Sequence, residues 1–458
     1  MKQSCQLLVI GAGPAGMAAA QIAAKQGVEV VLVDEQAQPG GQIYRNVDTS
    51  PLADIDLLGK DYAFGRPLVQ AFRNSEIDYH AATSVWYLDK TRQIGVLNQG
   101  VSHIISAEHV IVATGAQERP MPLPNWQLPG VMTAGAGQIL LKSAAMVPDN
   151  GVVLAGSGPL MLLLAWQYLR AGVDIHAILD TTPKGSPGKA LRYLPRALAA
   201  ADYLWKGMRL MLSIRRAQIP YYRHVSELSV EGVERLQAVR FKVAGQSHRI
   251  DTDLLLLHQG LIPGLHILQA AGCEVDWNLA QQSWQARVDA WGETSLAGIF
   301  VAGDGGGIAG ARAASLSGQL AGLQVACEMG FIDMGRRDQL ARPIINARNR
   351  HLAIRPFLDA LYAVPEAFLN PVDETLVCRC EEVSARQIHE VITLGCTGPN
   401  QAKAFTRCGM GPCQGRFCAD TLAQLFARQL GVSVADVGYS TARAPIKPIT
   451  LGQLADTR

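Results

Sequence analysis

The chain has 458 residues, of which 48% are hydrophobic and 17% charged, and its formal net charge is +2. This length predicts two or three domains, and the composition excludes a disordered chain. The small net charge, with no basic run interleaved with aromatic residues, excludes nucleic acid as an expected partner. The polar start leaves no room for a signal peptide, and the apolar run 160–169 is too short to span a bilayer. We therefore expect a cytoplasmic protein without a transmembrane segment.

The first predicted element is a strand at 7–10 that leads through a glycine loop into a helix. In the pattern G-x-G-x-x-G, Gly11 permits the tight turn, Gly13 lets the backbone approach a pyrophosphate, and Gly16 allows close packing of helix on strand. The N–H groups at the helix N-terminus attract phosphate. A second strand, at 28–33, is followed by two carboxylates placed where a ribose is bound. The predicted dinucleotide contacts are Gly11, Gly13, Pro14, Ala15, Gly16 and Asp34, with Glu35 as a near-equal alternative to Asp34.

Three later stretches share this pattern of strand, glycine turn and polar group. The turn 39–45 is suited to bringing backbone N–H groups near a planar ring. The strand 109–112 ends in a small-residue turn, and the strand 298–302 ends in a glycine and an aspartate before a helix at 308–323. We expect one site assembled from all four pieces. The additional predicted contacts are Gly41, Gln42, Ala113, Thr114, Gly115, Gly303 and Asp304.

The middle of the chain repeats its own opening. A strand, turn and helix begin at 151–161 and another strand follows at 173–180. Met161 stands where the third glycine is expected, so helix and strand cannot pack as closely. A scaffold without cofactor and a working nicotinamide site are both open interpretations. At the end of the insert we expect His258 to be a hydrogen-bonded structural histidine.

Six of the nine cysteines lie between residues 378 and 418. In a chain expected in the cytoplasm, this argues for metal or redox chemistry over structural disulfides. Cys378 and Cys380 precede a predicted helix at 384–394, and Cys413 and Cys418 lie in a glycine-rich loop after it. Four thiolates suit zinc or an iron–sulfur cluster, and C-x-C is less typical of zinc than C-x-x-C. Cys408 is spaced from Cys413 as Cys413 is from Cys418, so its role stays open.

The four glycine-containing pieces together resemble the flavin disulfide reductase superfamily, in which the aspartate matching Asp304 holds the flavin ribitol. The insert has no C-x-x-C pair, so disulfide reduction is not expected. The resemblance implies an α/β fold with two Rossmann-like dinucleotide-binding domains, glutathione/thioredoxin reductase-like, the second inserted in the first. Residues 1–120 and 285–330 would form an FAD-type domain, residues 121–284 a degenerate NAD-type domain, and residues 331–370 a linker or docking arm.

The tail, residues 371–458, resembles the bacterioferritin-associated-ferredoxin-like domain, a small helical domain with a 2Fe–2S cluster that is also appended to anaerobic glycerol-3-phosphate dehydrogenase. In the appended version C-x-C is followed by G-M-G-x-C-Q-G-x-x-C, and the position matching Cys408 need not be cysteine. The ligands implied by this resemblance are Cys378, Cys380, Cys413 and Cys418.

The complete order of these pieces resembles the α subunit family of opine oxidases, which includes the corresponding subunits of hydrogen cyanide synthase and of the hydroxyproline or proline dehydrogenase complexes. The resemblance implies an electron-transfer subunit of an amine or imino-acid dehydrogenase whose substrate is oxidised in a partner β flavoprotein subunit, D-amino-acid-oxidase-like. It also implies FAD, or NAD or ATP in the same site, a 2Fe–2S cluster and an FMN between subunits. A small third subunit is implied as well, with an electron acceptor that can bring the complex to the inner membrane.

Two rival functions stay open at this point. Gly156 and Gly158 favour a self-contained NAD(P)H-dependent flavin and 2Fe–2S reductase, and Met161 weakens it. A scaffold that binds a nucleotide only structurally is the second rival, against which the Gly303-Asp304 turn argues. No residue pattern identifies an acid–base pair or a nucleophile, so the catalytic residues are left unassigned.

Overall fold

One mixed sheet, one parallel sheet and a small C-terminal helical unit carry the predicted site residues. The computed structural model describes residues 2–457. Within this range the strands are β1 Ser4–Ile10, β2 Val30–Val33, β3 Asp78–His80, β4 Thr83–Leu88, β5 Gln93–Asn98, β6 Val101–Val112, β7 Ala116–Glu118, β8 Val131–Thr133, β9 Val152–Ser157, β10 Ile175–Asp180, β11 Tyr221–Arg223, β12 Ser226–Glu231, β13 Ala238–Val243, β14 Gln246–Asp251, β15 Leu255–Gln259, β16 Leu261–Pro263, β17 Val275–Asn278, β18 Ser283–Ala286, β19 Ile299–Val301, β20 Leu376–Cys378 and β21 Val383–Ser384.

The α-helices lie between groups of these strands up to β19, and after β19 the chain is mostly helical. They are α1 Pro14–Lys25, α2 Lys60–Ala63, α3 Gly65–Arg73, α4 Ala134–Ala144, α5 Pro159–Arg170, α6 Ser186–Leu191, α7 Leu194–Ala197, α8 Ala201–Arg216, α9 His266–Ala271, α10 Ala311–Glu328, α11 Met334–Leu352, α12 Arg355–Leu361, α13 Glu366–Leu369, α14 Ala385–Thr393, α15 Pro399–Thr406, α16 Ala419–Leu430, α17 Val434–Val437 and α18 Leu451–Ala455. None of them, within the described residues, has the length and apolar character needed to span a bilayer.

The first sheet has the strand order β3-β2-β1-β6-β5-β4, with β19 also paired to β6. Strands β3, β2, β1, β6 and β19 run parallel, with Val9 opposite both Leu32 and Ile111. Strand β2 and residues 7–10 of β1 are buried throughout, as expected for parallel strands with both faces covered. Because β19 lies far along the chain but pairs with β6, the second sheet is inserted between them. This confirms the predicted fold class.

The second sheet has the order β11-β10-β9-β15-β8, and all of its strands are parallel. Its first strand, β9, leads into α5 through the second glycine turn, so the repeat read from the sequence is present in the structure. Met161 is buried on this helix. The two sheets share one apolar core, which includes Leu7 and Val9 from the first and Val152 and Leu154 from the second.

The inserted unit is shorter than the predicted range 121–284. Strand β16 pairs back to β7, and from there the chain returns to the first sheet. Leu265, Leu268 and Trp284 are buried against residues of the first sheet such as Leu8 and Val110. Apolar burial therefore assigns residues 265–284 to the first unit.

Residues 331–370 are largely helical. Helix α11 packs along α10, and α12 packs on α6 of the inserted unit. Arg337 lies over the ring of Trp291 at 4.1 Å from its centroid, which anchors the basic end of α11 to the first unit. In the tail, α14, α15 and α16 surround a core that includes Ile388, Leu422 and Phe426. The expected small helical unit is present.

Candidate cofactor and cysteine site

The first glycine loop forms an open cradle at the start of α1. Gly11 has φ +109°, and a methyl group on it would lie 2.5 Å from the carbonyl oxygen of Ala113, so the end of β6 presses directly on the turn. Helix α1 begins with Pro14 after an extended Gly13, and no side chain caps it. Its N-terminal N–H groups therefore face the loop without a side-chain acceptor, as a pyrophosphate site requires.

The loop 39–45 lies directly against this cradle. The Gly40 N–H donates to the carbonyl oxygen of Ala12 at 2.8 Å. A methyl group on Gly41, whose φ is +61°, would lie only 2.9 Å from the Cα of Gly13. Two of the four predicted pieces are thus in backbone contact, and Gln42 follows immediately.

The carboxylate that faces the loop belongs to Asp34. Its Oδ2 accepts the Ala12 N–H at 2.5 Å and its Oδ1 accepts the Gln36 N–H at 2.7 Å. Burial raises the pKa of Asp34, and these two backbone donors oppose the rise. Glu35 is exposed and forms an ion pair with Lys447 of the C-terminal stretch. Of the two alternatives left by the sequence, the structure places Asp34 beside the glycine loop.

The remaining pieces close the site from the other side. The Ala113 N–H bonds the Ile10 carbonyl at 2.8 Å, and Thr114 Oγ1 donates to the Gly264 carbonyl at 3.1 Å. Asp304 Oδ1 accepts the N–H groups of Ala309 and Gly310 at 2.9 and 3.1 Å, which fixes the turn before α10. Gly303 lies against the start of α1, since a methyl group on it would be 2.9 Å from Ala15 Cβ, and Asp304 follows it in the chain. The carbonyl oxygen of Gly115 accepts the Gly264 N–H at 2.9 Å.

A buried lysine that the sequence analysis missed joins the inserted unit to this site. Lys142 Nζ donates to the carbonyl oxygens of Gln42 and Ile43, both at 3.1 Å, and to Gln138 Oε1 at 2.9 Å. Three acceptors match the three hydrogens of an ammonium group. Burial lowers the pKa of Lys142 to about 7. The sequence feature that indicates its burial is its position directly after the apolar run 139–141, on the buried face of α4.

The second glycine turn is covered by the protein itself. Gly156, Ser157 and Gly158 are all buried. Asp180, at the ribose position, accepts the Thr182 N–H and the Tyr221 hydroxyl, both at 2.9 Å. The groups that a nucleotide would use are therefore already in internal contacts.

Residues after α12 lie beside the second glycine turn. Burial raises the pKa of Tyr362, which follows α12 and lies near Asp180, to about 12. A cavity of about 520 Å³ at the ends of β10 and β11 is bounded by Pro365 and Glu366 of the same stretch. His258 Nδ1 lies 2.6 Å from Glu118 Oε1, which confirms the predicted structural histidine.

Three of the cysteines meet in one place. The sulfurs of Cys378, Cys408 and Cys418 lie within 4.8 Å of one another, and all three residues are buried. Cys380 and Cys413 interact with each other through a hydrogen bond between their side chains. Hydrogen bonds from Cys408 and Cys418 lower the pKa of Cys378 to about 2. Of the four predicted ligands, the structure thus groups Cys378 and Cys418 with Cys408 and pairs Cys380 with Cys413, and soft sulfur donors suit iron–sulfur clusters or zinc.

The cysteine loop touches the first unit close to the glycine cradle. Gln117 Nε2, three residues after Thr114, donates to the carbonyl oxygen of Arg416. His266, at the start of α9, is buried and contacts the backbone of Gln414. Burial, followed by the charge of Arg416, lowers the pKa of His266 to about 3. The strand after the Ala113–Gly115 turn therefore connects the two predicted cofactor sites through a few residues.

Comparison with known proteins agrees with this arrangement. Residues 5–330 match the pyridine nucleotide-disulphide oxidoreductase family, and residues 373–458 match the sarcosine oxidase A3 domain. The chain belongs to the pyridine nucleotide-disulphide oxidoreductase family. It is an oxidoreductase, and the comparisons support a flavoprotein dehydrogenase subunit. The family assigned from the sequence is confirmed.

Similar proteins extend over almost the whole chain. An opine oxidase subunit of Rhizobium meliloti is 44% identical over 99% of this chain and 88% of its own length. Hydrogen cyanide synthase subunit HcnB of Pseudomonas protegens is 31% identical over 96% of each chain. The solved structure of L-proline dehydrogenase from P. horikoshii superposes with a TM-score of 0.71 at 20% identity, covering 98% of this chain and 79% of that one, and so shares its fold. Relatives that are named subunits support a hetero-oligomeric assembly.

Proposed function

We propose that the chain is the electron-transfer subunit of a multi-subunit dehydrogenase that oxidises a CH–NH donor, an opine or an imino acid of the hydroxyproline, proline or glycine type. Substrate oxidation would take place in a partner flavoprotein subunit. The observation that carries the proposal is the contact between Gln117 and Arg416, which joins the glycine cradle to the cysteine loop. A chain that positions two redox sites side by side is suited to passing electrons between them.

The residues of the first site fit FAD. The uncapped start of α1 and Gly13 would bind the pyrophosphate, Asp34 the ribose and Asp304 the ribitol. Lys142 would hold the loop at Gln42 in position by its bonds to the backbone. NAD or ATP would use the same cradle, because the pyrophosphate and ribose contacts are common to all three.

The thiols fit a 2Fe–2S cluster, with Cys378, Cys380, Cys413 and Cys418 as the proposed ligands. Cys408 is completely buried, and its sulfur lies within 4.8 Å of those of Cys378 and Cys418. It is left out of the proposed ligands because the matching position in the domain that the tail resembles need not be cysteine, so it would be a fifth thiol beside the cluster. When bound, a flavin converts two-electron into one-electron transfer and a cluster carries single electrons. The protein supplies the spacing between them through the strand β7 and the start of α9.

The covered second glycine turn argues against the rival NAD(P)H reductase. Gly156, Ser157 and Gly158 are buried, both carboxylate oxygens of Asp180 accept hydrogen bonds from Thr182 and Tyr221, and the buried Tyr362 lies near Asp180. An NAD(P)H molecule would have to displace these contacts before its ribose could bind. An inner-membrane acceptor, FMN at a subunit interface and a small third subunit are further parts of the proposal, drawn from the resemblance.

The proposal is tested by comparing the chain alone with the chain co-expressed with its catalytic subunit, both purified without oxygen. Oxidation of candidate imino acids by an artificial electron acceptor is measured for each preparation. We expect activity only in the complex. Comparable imino-acid oxidation by the chain alone would contradict the proposed division of labour.

A further inference from the structure

A buried hydroxyl beside the cysteine loop lacks a hydrogen-bond partner. Ser440 is only 2% exposed, and its Oγ has no partner among the described residues. Burying a hydroxyl without a partner is unfavourable, so the position calls for one that the protein atoms do not provide.

Hydrogen bonds to the next residue, Thr441, fix the backbone beside this hydroxyl. Lys403 Nζ donates to the Thr441 carbonyl oxygen at 2.6 Å. Asn400 bonds Thr441 twice, from its Nδ2 to the threonine hydroxyl at 3.1 Å and from the threonine N–H to its Oδ1 at 3.0 Å. Three bonds to α15 therefore fix the backbone beside Ser440, and its position is not that of a loose tail.

The hydroxyl and the Cys418 sulfur lie on either side of one glycine position. A methyl group on Gly409 would lie 3.6 Å from Ser440 Oγ and 3.8 Å from Cys418 Sγ. A methyl group on Gly415 would lie 3.8 Å from the same oxygen, so the hydroxyl packs against the cysteine loop at two glycines. Because Gly409 has no side chain, that position does not separate the hydroxyl from the Cys418 sulfur.

We infer that Ser440 donates a hydrogen bond to a sulfur on the Cys418 side of the cluster and thereby raises the reduction potential of the cluster. The reduced cluster carries one more negative charge than the oxidised cluster, so a donor to its sulfurs stabilises the reduced state more. This inference rests on the 2Fe–2S site of the proposed function. It adds a residue that tunes the potential and is not a ligand.

The test uses the full chain, purified without oxygen, as wild type, Ser440→Ala and Ser440→Thr. The reduction potential is measured by a redox titration followed by electron paramagnetic resonance. We expect Ser440→Ala to lower the ratio of reduced to oxidised cluster about tenfold at a given solution potential, a shift of about 59 mV for one electron. Ser440→Thr, which keeps the hydroxyl, should retain the wild-type potential.

Ser283→Ala is the matched control. Ser283 is also fully buried with an unpartnered hydroxyl, but it lies in β18, outside the cysteine unit. Its replacement should leave the potential unchanged. A Ser283→Ala shift as large as that of Ser440→Ala would overturn the assignment, because the loss of any buried hydroxyl would then suffice.

A second readout detects the hydroxyl hydrogen directly. After exchange into deuterated water, pulsed resonance of the reduced wild-type chain should show a strongly coupled deuteron that is absent in Ser440→Ala. An unchanged potential in Ser440→Ala, or a wild-type spectrum without such a deuteron, overturns the inference and leaves the cluster proposal intact. A wild-type chain that holds no iron overturns both.

Discussion

The side-chain amide of Gln117 donates a hydrogen bond to the carbonyl oxygen of Arg416, 299 residues away along the chain. This bond links β7, which continues from the Ala113–Gly115 turn, to the loop between Cys413 and Cys418. Gln117→Ala should cost about 1 kcal/mol of unfolding free energy and loosen the cysteine loop, because the buried carbonyl loses its donor. Amide hydrogen exchange at residues 414–418 measures the loosening. Gln70→Ala, at an exposed glutamine of α3, is the control, and equal exchange in both variants would contradict the role of the bond.

Gly13 and Gly16 separate cofactor binding from folding. A methyl group on Gly13 would meet nothing closer than the Gly41 Cα at 3.9 Å, whereas one on Gly16 would collide with the Gly11 carbonyl oxygen. Gly13→Ala should therefore keep the fold but place its methyl group where a pyrophosphate approaches, weakening cofactor binding at least tenfold, about 1.4 kcal/mol. Gly16→Ala should destabilise the fold itself. Cofactor content and thermal unfolding are measured together, and a Gly13→Ala chain with full cofactor content would refute the site.

Lys142 gives stability a predictable pH dependence. Burial lowers its pKa from 10.5 to about 7, so between these pH values the unfolded chain binds more protons than the folded chain. The unfolding free energy therefore rises with pH between about 7 and 10.5. Below pH 7 the lysine is protonated in both the folded and the unfolded chain and adds no pH dependence. Lys142→Met removes the titrating amine. The unfolding free energy of the wild type should therefore rise relative to that of the variant as the pH rises through this window.

At neutral pH the same variant should be less stable by about 1–3 kcal/mol, because the carbonyls of Gln42 and Ile43 lose their donor. Denaturant unfolding below, within and above the pH window measures both effects. Lys189→Met, at an exposed lysine, is the control. Parallel pH curves for wild type and Lys142→Met would show that the buried amine does not titrate in this range.

The iron content of single cysteine variants distinguishes the cluster ligands from the other thiols. With the proposed ligands, Cys380→Ala and Cys413→Ala should each lose most of the iron, whereas Cys408→Ala should retain it with at most an altered spectrum. Cys396→Ala serves as the control, since Cys396 is a buried thiol packed in the core of the same unit. Iron loss in Cys408→Ala with retention in Cys413→Ala would replace Cys413 by Cys408 in the ligand set.

The sequence predicts the glycine cradle well because its physics is local. Strand, turn and helix at Gly11 to Gly16 follow from residues within a few positions of one another, and carboxyl ends of parallel strands meet at one edge. The convergence of Asp34, Thr114 and Asp304 is therefore readable from the order of the pieces. The structural role of His258 is predicted for the same reason, since it closes a buried strand.

Other features depend on where distant segments return. Nothing near Cys408 indicates that its sulfur lies beside those of Cys378 and Cys418, because spacing alone leaves Cys413 equivalent to it. Tyr362 lies near Asp180 where α12 packs on α6. The burial of residues 265–284 against the first sheet depends on contacts with strands that are distant in the sequence.

The relay role is tested most directly by freeze-quench electron paramagnetic resonance of the oxygen-free complex, mixed with its imino acid in one experiment and with NADH in another. We predict a reduced 2Fe–2S signal that grows on the timescale of turnover with the imino acid, is absent when the catalytic subunit is omitted, and does not form with NADH. Rapid formation of that signal from NADH in the chain alone would contradict the relay and identify a reductase.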